Sequence, residues 1–333
     1  MGSNGLSSAA GIADTLADAL RAWFGVRAGT YGLCPASLSV DYVLNWGGFV
    51  NHSFRVSGGR TGYHVKLSTD ADDQQALRRW FSLGRDLERF RARSIVDWVD
   101  IGVAAGLVFR HLPGRVPTLT DEVVDGLLEP LSRLWVDQPL ANALASGTAV
   151  TAGDAFLESF DRRFREDLAG IRAATPPFVS DKLIRWLEGE VEDLAGRVRA
   201  EPSFGEVLLS PVHGDLWLNN VLWVDRHTWW LLDWDDLRIG DPAADVASLL
   251  GPTAGDLRTL KGVARVVDRL SESQRARLPM LGQATLLDWV IDPLSDWIDA
   301  DTSPAHAAAV RAEKERVHRA ALDRYRSADQ ADR

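Results

Sequence analysis

The sequence contains a single cysteine, Cys34, among its 333 residues. No internal disulfide can form, and a lone cysteine in a chain of this size favours a reducing compartment, hence the cytoplasm. No stretch approaches the roughly 18 apolar residues that a transmembrane helix requires. The N-terminus has neither a basic stretch nor a long apolar core, so a secretory signal is not expected.

Positive charge is scarce as well, since the formal net charge is −10. This acidity argues against nucleic acid or an anionic membrane as a partner and is compatible with a cationic substrate. Arginine carries nearly all the positive charge, because lysine occurs only at positions 66, 182, 261 and 314. Lys66 lies between Val65 and Leu67 in an apolar strand, where an ammonium group needs a partner.

The first 112 residues are predicted to be rich in β-structure. Apolar residues spaced by four predict an N-terminal helix, and glycine-rich turns separate three short strand-like segments that follow it. A long helix and two more strands complete this part. The predicted elements are a helix at 8–25, strands at 39–45, 52–56 and 63–67, a helix at 73–93, and strands at 95–101 and 107–112.

Beyond Pro113 the periodicity becomes helical, with acids and arginines on the polar faces. A single short hairpin interrupts the helices, which are predicted at 121–144, 153–174, 179–200 and within 241–325. We therefore predict an α+β fold with two lobes. A small β-rich N-terminal lobe spans residues 1–112, and a larger, mostly helical C-terminal lobe spans residues 113–333.

The interrupting hairpin carries three polar residues at a distinctive spacing. Asp215 is followed five residues later by Asn220, and Asp233 comes thirteen residues after Asn220, on the other side of the hairpin. A carboxylate that acts as a base and two oxygen ligands for a hard cation can converge there. Phosphoryl transfer requires this set of groups.

Four elements of the chain, in this order, resemble the aminoglycoside phosphotransferase and choline kinase family, small-molecule relatives of the protein kinases. They are the turn at 47–51 followed by 53–56, the segment 213–220, the second aspartate in 231–234, and the segment 240–245. The resemblance implies a two-lobed, protein-kinase-like fold with the nucleotide between the lobes. It assigns Asp215 to the acceptor hydroxyl, and Asn220 and Asp233 to Mg²⁺. The chain has Gly214 where protein kinases normally carry arginine.

The N-terminal lobe supplies the nucleotide-binding residues that the resemblance implies. Gly47, Gly48 and Asn51 form a turn that could lay backbone amides over the phosphates. The strand ending at 112 would be the hinge against which the base stacks, with backbone groups near Phe109 and His111 facing the base edge. The sequence leaves ATP and GTP open as phosphoryl donors, and ATP is favoured by its frequency among kinases.

Lys66 is assigned by the same resemblance to the α- and β-phosphates. A carboxylate on the following helix would hold it, and Glu88 is the first candidate, with Asp86 second. The alternative is a lysine without a functional role, on an edge strand, whose side chain points into solvent. Lysine is seldom buried without a partner, which favours the functional interpretation.

We expect the acceptor site on the helices near the C-terminus. Asp288, Asp292 and Asp296 are spaced by four and form one acidic stripe on a helix, with Trp289 and Trp297 beside it. Such a stripe could bind a polyamine, an amino sugar or a basic peptide antibiotic through charge and cation–π contacts. Charge runs are also often simply solvated faces.

The sequence therefore predicts an enzyme that transfers the γ-phosphoryl group of a nucleoside triphosphate to a hydroxyl of a small molecule, with Mg²⁺ as cofactor. An antibiotic of the aminoglycoside, nucleoside or peptide type is the first acceptor class. Two alternatives are a metabolic kinase for a sugar, amino alcohol or amino acid, and a non-catalytic nucleotide-binding module of kinase shape. A monomer or a homodimer is expected.

Overall fold

The computed structural model describes residues 9–44, 51–145, 147–251, 261–300 and 306–331. The chain forms two compact units. The first consists of Met1–Gly114 and Asp299–Val310, and the second consists of Arg115–Ile298 and Arg311–Arg333. None of the described helices is both long enough and apolar enough to cross a membrane.

The first unit is built on a five-stranded antiparallel sheet in the order β1-β2-β3-β5-β4. Its strands are β1 (Ser39–Val43), β2 (His52–Gly58), β3 (Thr61–Ser68), β4 (Ile95–Asp100) and β5 (Ala105–Arg110). Its helices are α1 (Ala9–Gly25), α2 (Ala28–Tyr31) and α3 (Ala71–Leu87), followed by a 3₁₀ turn at Glu88–Phe90. Each predicted strand of this lobe is present, within a few residues of its predicted bounds.

Helix α1 covers one face of this sheet. Leu16, Leu20 and Phe24 recur every four residues and are buried in a core that includes Phe54 of β2 and Val65 of β3. Because side chains alternate across a strand, the neighbours of Val65 project from the other face, where Lys66 approaches helix α3. Helix α1 therefore completes the hydrophobic core on one face of the sheet. The opposite face, which carries Lys66, packs against other elements, including α3.

The second unit is mostly helical. Its helices are α4 (Asp121–Leu134), α5 (Gln138–Leu144), α6 (Ala152–Phe156), α7 (Arg163–Ala173), α8 (Asp181–Ala200), α9 (Pro242–Leu250), α10 (Lys261–Val267), α11 (Glu272–Asp299) and α12 (Ala307–Ala331). The single helix expected over 121–144 is divided, because Asp137 caps a new helix whose first turn contains Pro139. A π-helical segment at Leu157–Arg162 joins α6 to α7. With the antiparallel sheet of the first unit, this confirms the predicted fold class.

Two small sheets position the motif residues of this unit. Strands β7 (Val221–Trp223) and β8 (Trp229–Leu231) form the predicted hairpin. Strands β6 (Ser210–Val212) and β9 (Arg238–Gly240) also pair, which the sequence did not indicate because three-residue strands carry no readable periodicity. Helix α9 begins as predicted, with Asp241 as N-cap and Pro242 in the first turn.

Candidate active site

Asp215 and Asn220 are in direct contact in the loop between β6 and β7. The amide nitrogen Nδ2 of Asn220 donates to the carboxylate Oδ2 of Asp215 and to its main-chain carbonyl, each at 2.8 Å. Both residues are largely shielded from solvent, and Asn220 ends a 3₁₀ turn that folds its side chain back towards Asp215. The five-residue spacing thus closes a local loop around the carboxylate.

The hairpin brings Asp233 to the same end of the two strands. Val221 pairs with Leu231, and beyond this pair the Leu232 amide donates to the carbonyl of Asn220 at 2.8 Å. Asp233 is the next residue, and its φ of 63° lies in the left-handed region that side-chain-bearing residues seldom adopt. Backbone strain of this kind is often found at functional sites.

His213 and Asp245 hold the loop that carries Asp215. The carboxylate of Asp245, which is 2% exposed, accepts from the backbone amides of His213 and Gly214 at 3.0 Å each. It also accepts from the indole nitrogen of Trp135 at 3.0 Å. The imidazole of His213 is fully buried, and its Nε2 lies 2.8 Å from the carbonyl oxygen of Leu232, to which it must donate. His213 therefore supports the loop through Nε2, and its other ring nitrogen, Nδ1, is buried.

Burial dominates the electrostatics of Asp215. It raises the pKa of the carboxyl group, and the negative charges of Asp236 and Asp235 raise it further, while His213 and the hydrogen bond from Asn220 act in the opposite direction. A carboxylate with a raised pKa is a stronger base than an exposed one. The site therefore combines a desolvated base with a single amide donor that orients it.

Gly214 explains why arginine does not precede Asp215 in this chain. Its φ is 90°, and an added Cβ would come within 2.3 Å of the Asp236 carbonyl oxygen and 2.5 Å of Nη1 of Arg238. Arg238 enters from β9, and its Nη1 donates to the carbonyl of Asp236 at 3.0 Å. A guanidinium group thus lies beside the catalytic loop, supplied by a residue 24 positions later.

The donor set fits a hard divalent cation. Because Nδ2 of Asn220 is bound to Asp215, the amide oxygen is the atom that remains for a metal, and Asp233 adds a carboxylate nearby. Mg²⁺ prefers oxygen ligands and commonly takes one or two protein groups together with phosphate oxygens and water. No cluster of three or more His, Cys, Asp or Glu side chains suited to a metal was found within the described ranges. Asn220 and Asp233 therefore suit a cation whose other ligands are phosphate oxygens of a nucleotide and water.

Lys66 is buried in β3, on the sheet face that is covered by α3. Its Nζ lies 5.8 Å from the ring of Trp80 on α3. Ser68 projects from the same face two residues later, and its hydroxyl donates to the carboxylate of Asp73 at 3.1 Å. Asp73 lies in the first turn of α3, two helical turns before Trp80. Glu88, the candidate taken from the sequence, is exposed in the 3₁₀ turn after the helix.

The remaining nucleotide candidates belong to the same unit. Gly47 and Gly48 lie outside the described residues, whereas Asn51 is buried immediately before β2. Phe109 is buried in β5, with its ring centroid 5.2 Å from that of Trp80. His111 follows β5, and its backbone amide donates to the Gly62 carbonyl at 2.9 Å.

The acidic stripe on α11 is only partly neutralised. Asp288 pairs with Arg163 at 2.6 Å, and Asp296 pairs with Lys314. Asp292, between them, is 4.0 Å from Arg163 and keeps 47% of its side chain exposed. Desolvation, followed by the charges of Asp288 and Asp296, raises the pKa of Asp292 to about 8.

Two tryptophans in edge-to-face contact connect this stripe to the loop that carries Asp215. The ring of Trp217, two residues after Asp215, meets the ring of Trp289 edge to face at a centroid distance of 5.5 Å. Trp289 precedes Asp292 by three residues on α11, so the two share a helix face. An aromatic surface with an adjacent carboxylate therefore lies next to the loop of Asp215.

Sequence reasoning missed the distant partners of these motifs. Trp135, Arg163 and Arg238 were not singled out, although each contacts a motif residue. Lys314 was noted only as one of the rare lysines. The scarcity of lysine was the one signal in the sequence that pointed to Lys314, because arginine carries nearly all the other positive charge of this chain.

Comparison with known proteins shows the family of the chain. The family model named APH, phosphotransferase enzyme family, matches residues 41–282. The chain belongs to this family. The resemblance inferred from the motifs is therefore confirmed.

Individual relatives are more distant. Viomycin phosphotransferase of Streptomyces vinaceus is 30% identical over 156 residues, which is 43% of this chain and 48% of that protein. The chain thus spans about half the length of this curated relative.

Solved structures share the fold over most of the chain. The GDP and kanamycin complex of APH(2")-IIIa has a TM-score of 0.56 and 17% identity, over 86% of this chain and 93% of that one. Spectinomycin phosphotransferase APH(9)-Ia, in complex with ADP and spectinomycin, has a TM-score of 0.56 and 10% identity, over 88% and 94%. A macrolide 2′-phosphotransferase from Brachybacterium faecium has a TM-score of 0.53 and 16% identity, over 90% and 97%.

Proposed function

We propose that this protein transfers the γ-phosphoryl group of a nucleoside triphosphate to a hydroxyl of a small molecule, with Mg²⁺ as cofactor. The observation that carries the proposal is the partly buried Asp215 carboxylate, oriented by Asn220, at the hairpin end where Asp233 follows. Membership of a phosphotransferase family supports it. We place the reaction in the cytoplasm, which the single cysteine favours.

Asp215 orients the acceptor hydroxyl and takes its proton. The hydroxyl oxygen forms a bond to the γ-phosphorus, the bond from that phosphorus to the β–γ bridging oxygen breaks, and the nucleoside diphosphate leaves with the electron pair. The metal, when bound by Asn220 and Asp233, supplies positive charge next to the phosphate oxygens.

Lys66 contributes the positive charge for the α- and β-phosphates, and we assign its carboxylate partner to Asp73 instead of Glu88. Asp73 is held by Ser68 on the same sheet face as Lys66, whereas Glu88 is exposed beyond the end of the helix. A carboxylate in the first turn of α3 also benefits from the helix dipole, which favours negative charge there. The pair would hold the lysine extended towards the nucleotide.

For the acceptor we propose a cationic antibiotic, bound between the Trp217–Trp289 surface and Asp292. Asp288 and Asp296 already have basic partners, so Asp292 is the carboxyl group of the stripe that, once ionised, is least compensated by a basic partner. Three of the comparison proteins are named for antibiotics: viomycin, spectinomycin and macrolides. Viomycin and aminoglycosides are accordingly the first acceptors to try.

A mass-shift assay tests the proposal. Purified protein, Mg²⁺ and a mixture of ATP and GTP are incubated with viomycin, kanamycin, spectinomycin, choline and a panel of sugars. A gain of one phosphoryl group on an antibiotic, absent in Asp215→Asn, is the expected result. Phosphorylation of a sugar or of choline alone would point to the metabolic alternative. Nucleotide binding without turnover of any acceptor would favour the non-catalytic module.

A further inference from the structure

Arg93 is a buried cation without a carboxylate partner. It lies between the 3₁₀ turn after α3 and the start of β4, and only 8% of its surface is exposed. None of the carboxylates in the described parts of the chain pairs with it, and desolvation lowers the pKa of its guanidinium to about 10. The guanidinium therefore stays charged at neutral pH. Burying a charge without an oppositely charged partner costs free energy, so such groups are rare in folded proteins.

The guanidinium of Arg93 is directed at the segment proposed to hold the nucleotide base. Its Nη2 donates to the main-chain carbonyl of Arg110, at the end of β5. The charged group lies over the ring of Phe109, 4.8 Å from its centroid. Phe109 and the Arg110 carbonyl both lie in the predicted hinge strand, so Arg93 occupies the base-facing end of β5.

Unused donors remain at this place. The Nε of Arg93 is buried and has no hydrogen-bond partner in the described part of the molecule, and the same holds for the indole nitrogen of Trp80. The Trp80 ring packs against Phe109 at 5.2 Å. Both groups can only donate. Buried donors are nearly always paired in folded proteins, so two of them around one aromatic ring are an unusual feature of this place.

The purine bases differ in what they offer to such a cluster. Guanine presents two acceptors on one edge, O6 and N7, whereas adenine has a donating amino group in place of O6. The Arg110 carbonyl, which could accept from that amino group, already accepts from Arg93. Nearby His64, whose pKa is lowered to about 3 by burial and by the charges of Arg93 and Lys66, adds no further cation.

We infer that Arg93 selects the phosphoryl donor by donating hydrogen bonds to the 6-carbonyl edge of the base, so that guanine nucleotides are preferred over adenine nucleotides. This inference rests on the proposed function, since it takes β5 as the hinge. It also departs from the ATP preference that frequency alone favours.

Nucleotide binding tests the inference without any acceptor. Calorimetric titration of the full chain with Mg²⁺ and GDP, ADP or IDP should give at least about tenfold tighter binding of GDP than of ADP, the value of one hydrogen bond to a charged group. IDP keeps the 6-carbonyl and N7 but lacks the 2-amino group, so it should bind within about threefold of GDP. IDP that binds as weakly as ADP would show that the 2-amino group carries the selection, and the inference would fail.

Substitutions locate the effect. Arg93→Gln and Arg93→Met should bring the GDP and ADP affinities to within about threefold of each other, and Arg93→Lys should keep part of the preference. Arg78→Met is the matched control, because Arg78 also lies over an aromatic ring, 4.3 Å from the centroid of Trp98 on β4, and not over Phe109. Its GDP/ADP ratio should equal that of the wild type.

The outcomes separate the two proposals. Wild-type protein that binds ADP as tightly as GDP overturns the selection by Arg93 but leaves the phosphotransferase assignment standing. If the Arg93 variants lose affinity for GDP, ADP and IDP by the same factor, Arg93 only holds β5 to the start of β4, and its role in selecting the base is overturned. A wild type that binds no nucleotide, as judged also by an unchanged melting temperature, would overturn both.

Discussion

Asn220 donates both of its amide hydrogens to Asp215, one to the carboxylate and one to the main-chain carbonyl, at 2.8 Å each. The carboxylate is therefore fixed by a neutral group, which orients it without neutralising its charge. The same orientation directs the amide oxygen of Asn220 away from Asp215. The proposed base and the proposed metal ligand are thus oriented by one side-chain rotamer.

Asp215→Asn should lower turnover by about 10²–10⁴-fold, because a positioned base contributes on that order. Nucleotide affinity should change little, since the substitution is isosteric. Steady-state kinetics and calorimetry measure the two effects. Asp225→Asn is the matched control, because Asp225 caps the exposed turn of the same hairpin and accepts from His227 and Thr228. Near-normal turnover of Asp215→Asn would remove Asp215 from the role of base.

Asn220→Asp should move the acidic limb of the pH–rate profile to higher pH. A second carboxylate in contact with Asp215 disfavours ionisation of both, so the pKa of the base rises further. Asn220→Ala removes a hydrogen bond that lowers the pKa of Asp215, so it should move that limb a smaller distance in the same direction and increase the Mg²⁺ concentration needed for half-maximal rate. Identical metal requirements in the wild type and in Asn220→Ala would contradict the assignment of Asn220 as a ligand.

Gly214→Ala should strongly lower turnover, although the substitution adds only one methyl group. The added Cβ would meet the Asp236 carbonyl at 2.3 Å, and the φ of 90° is unfavourable for alanine, at a strain of about 1–3 kcal/mol. Gly196→Ala in α8 is the control, since a Cβ there meets nothing within 4 Å and alanine favours helix by about 1 kcal/mol. Turnover and melting temperature of both variants check this, and a fully active Gly214→Ala would exclude the close approach.

Arg277→Met should destabilise the second unit by about 3–5 kcal/mol, because it leaves Asp241 buried without its partner. The Arg277 side chain is 2% exposed and donates to Asp241 at 2.6 Å and to the Ser203 carbonyl at 2.7 Å. Arg265→Met removes an equally short pair with Asp125, at 2.6 Å, but on the surface, and should cost less than about 1 kcal/mol. Chemical denaturation compares the two, and equal losses would contradict the buried-pair argument.

The affinity for a cationic acceptor should rise as the pH rises through 8. Because the pKa of Asp292 is raised to about 8, its carboxyl group is mostly protonated at pH 7 and ionises above pH 8. Ionisation adds the negative charge that attracts the acceptor. The KM for the acceptor should therefore fall between pH 7 and pH 9, and Asp292→Asn should abolish this trend. The KM for the nucleotide serves as the internal control, and a trend retained in Asp292→Asn would exclude Asp292 from the acceptor site.

The sequence by itself determined the parts of the protein that depend on local spacing. Asp215, Asn220 and Asp233 belong to one loop and one hairpin, so their separations along the chain predicted their neighbourhood. The N-cap at Asp241 and the burial of Leu16, Leu20 and Phe24 followed from capping chemistry and helical periodicity in the same way.

Only the tertiary structure decided which distant groups compensate the buried charges. Trp135 reaches Asp245 across 110 residues and Arg163 reaches Asp288 across 125, while Arg93 donates to the main-chain carbonyl of Arg110 at the end of β5. No periodicity encodes these pairings, because they depend on how helices and sheets pack. The partner of Lys66 depends on packing in the same way: the sequence favoured Glu88, and the packing of α3 on the sheet places Asp73 against Ser68, on the face of the sheet that carries Lys66.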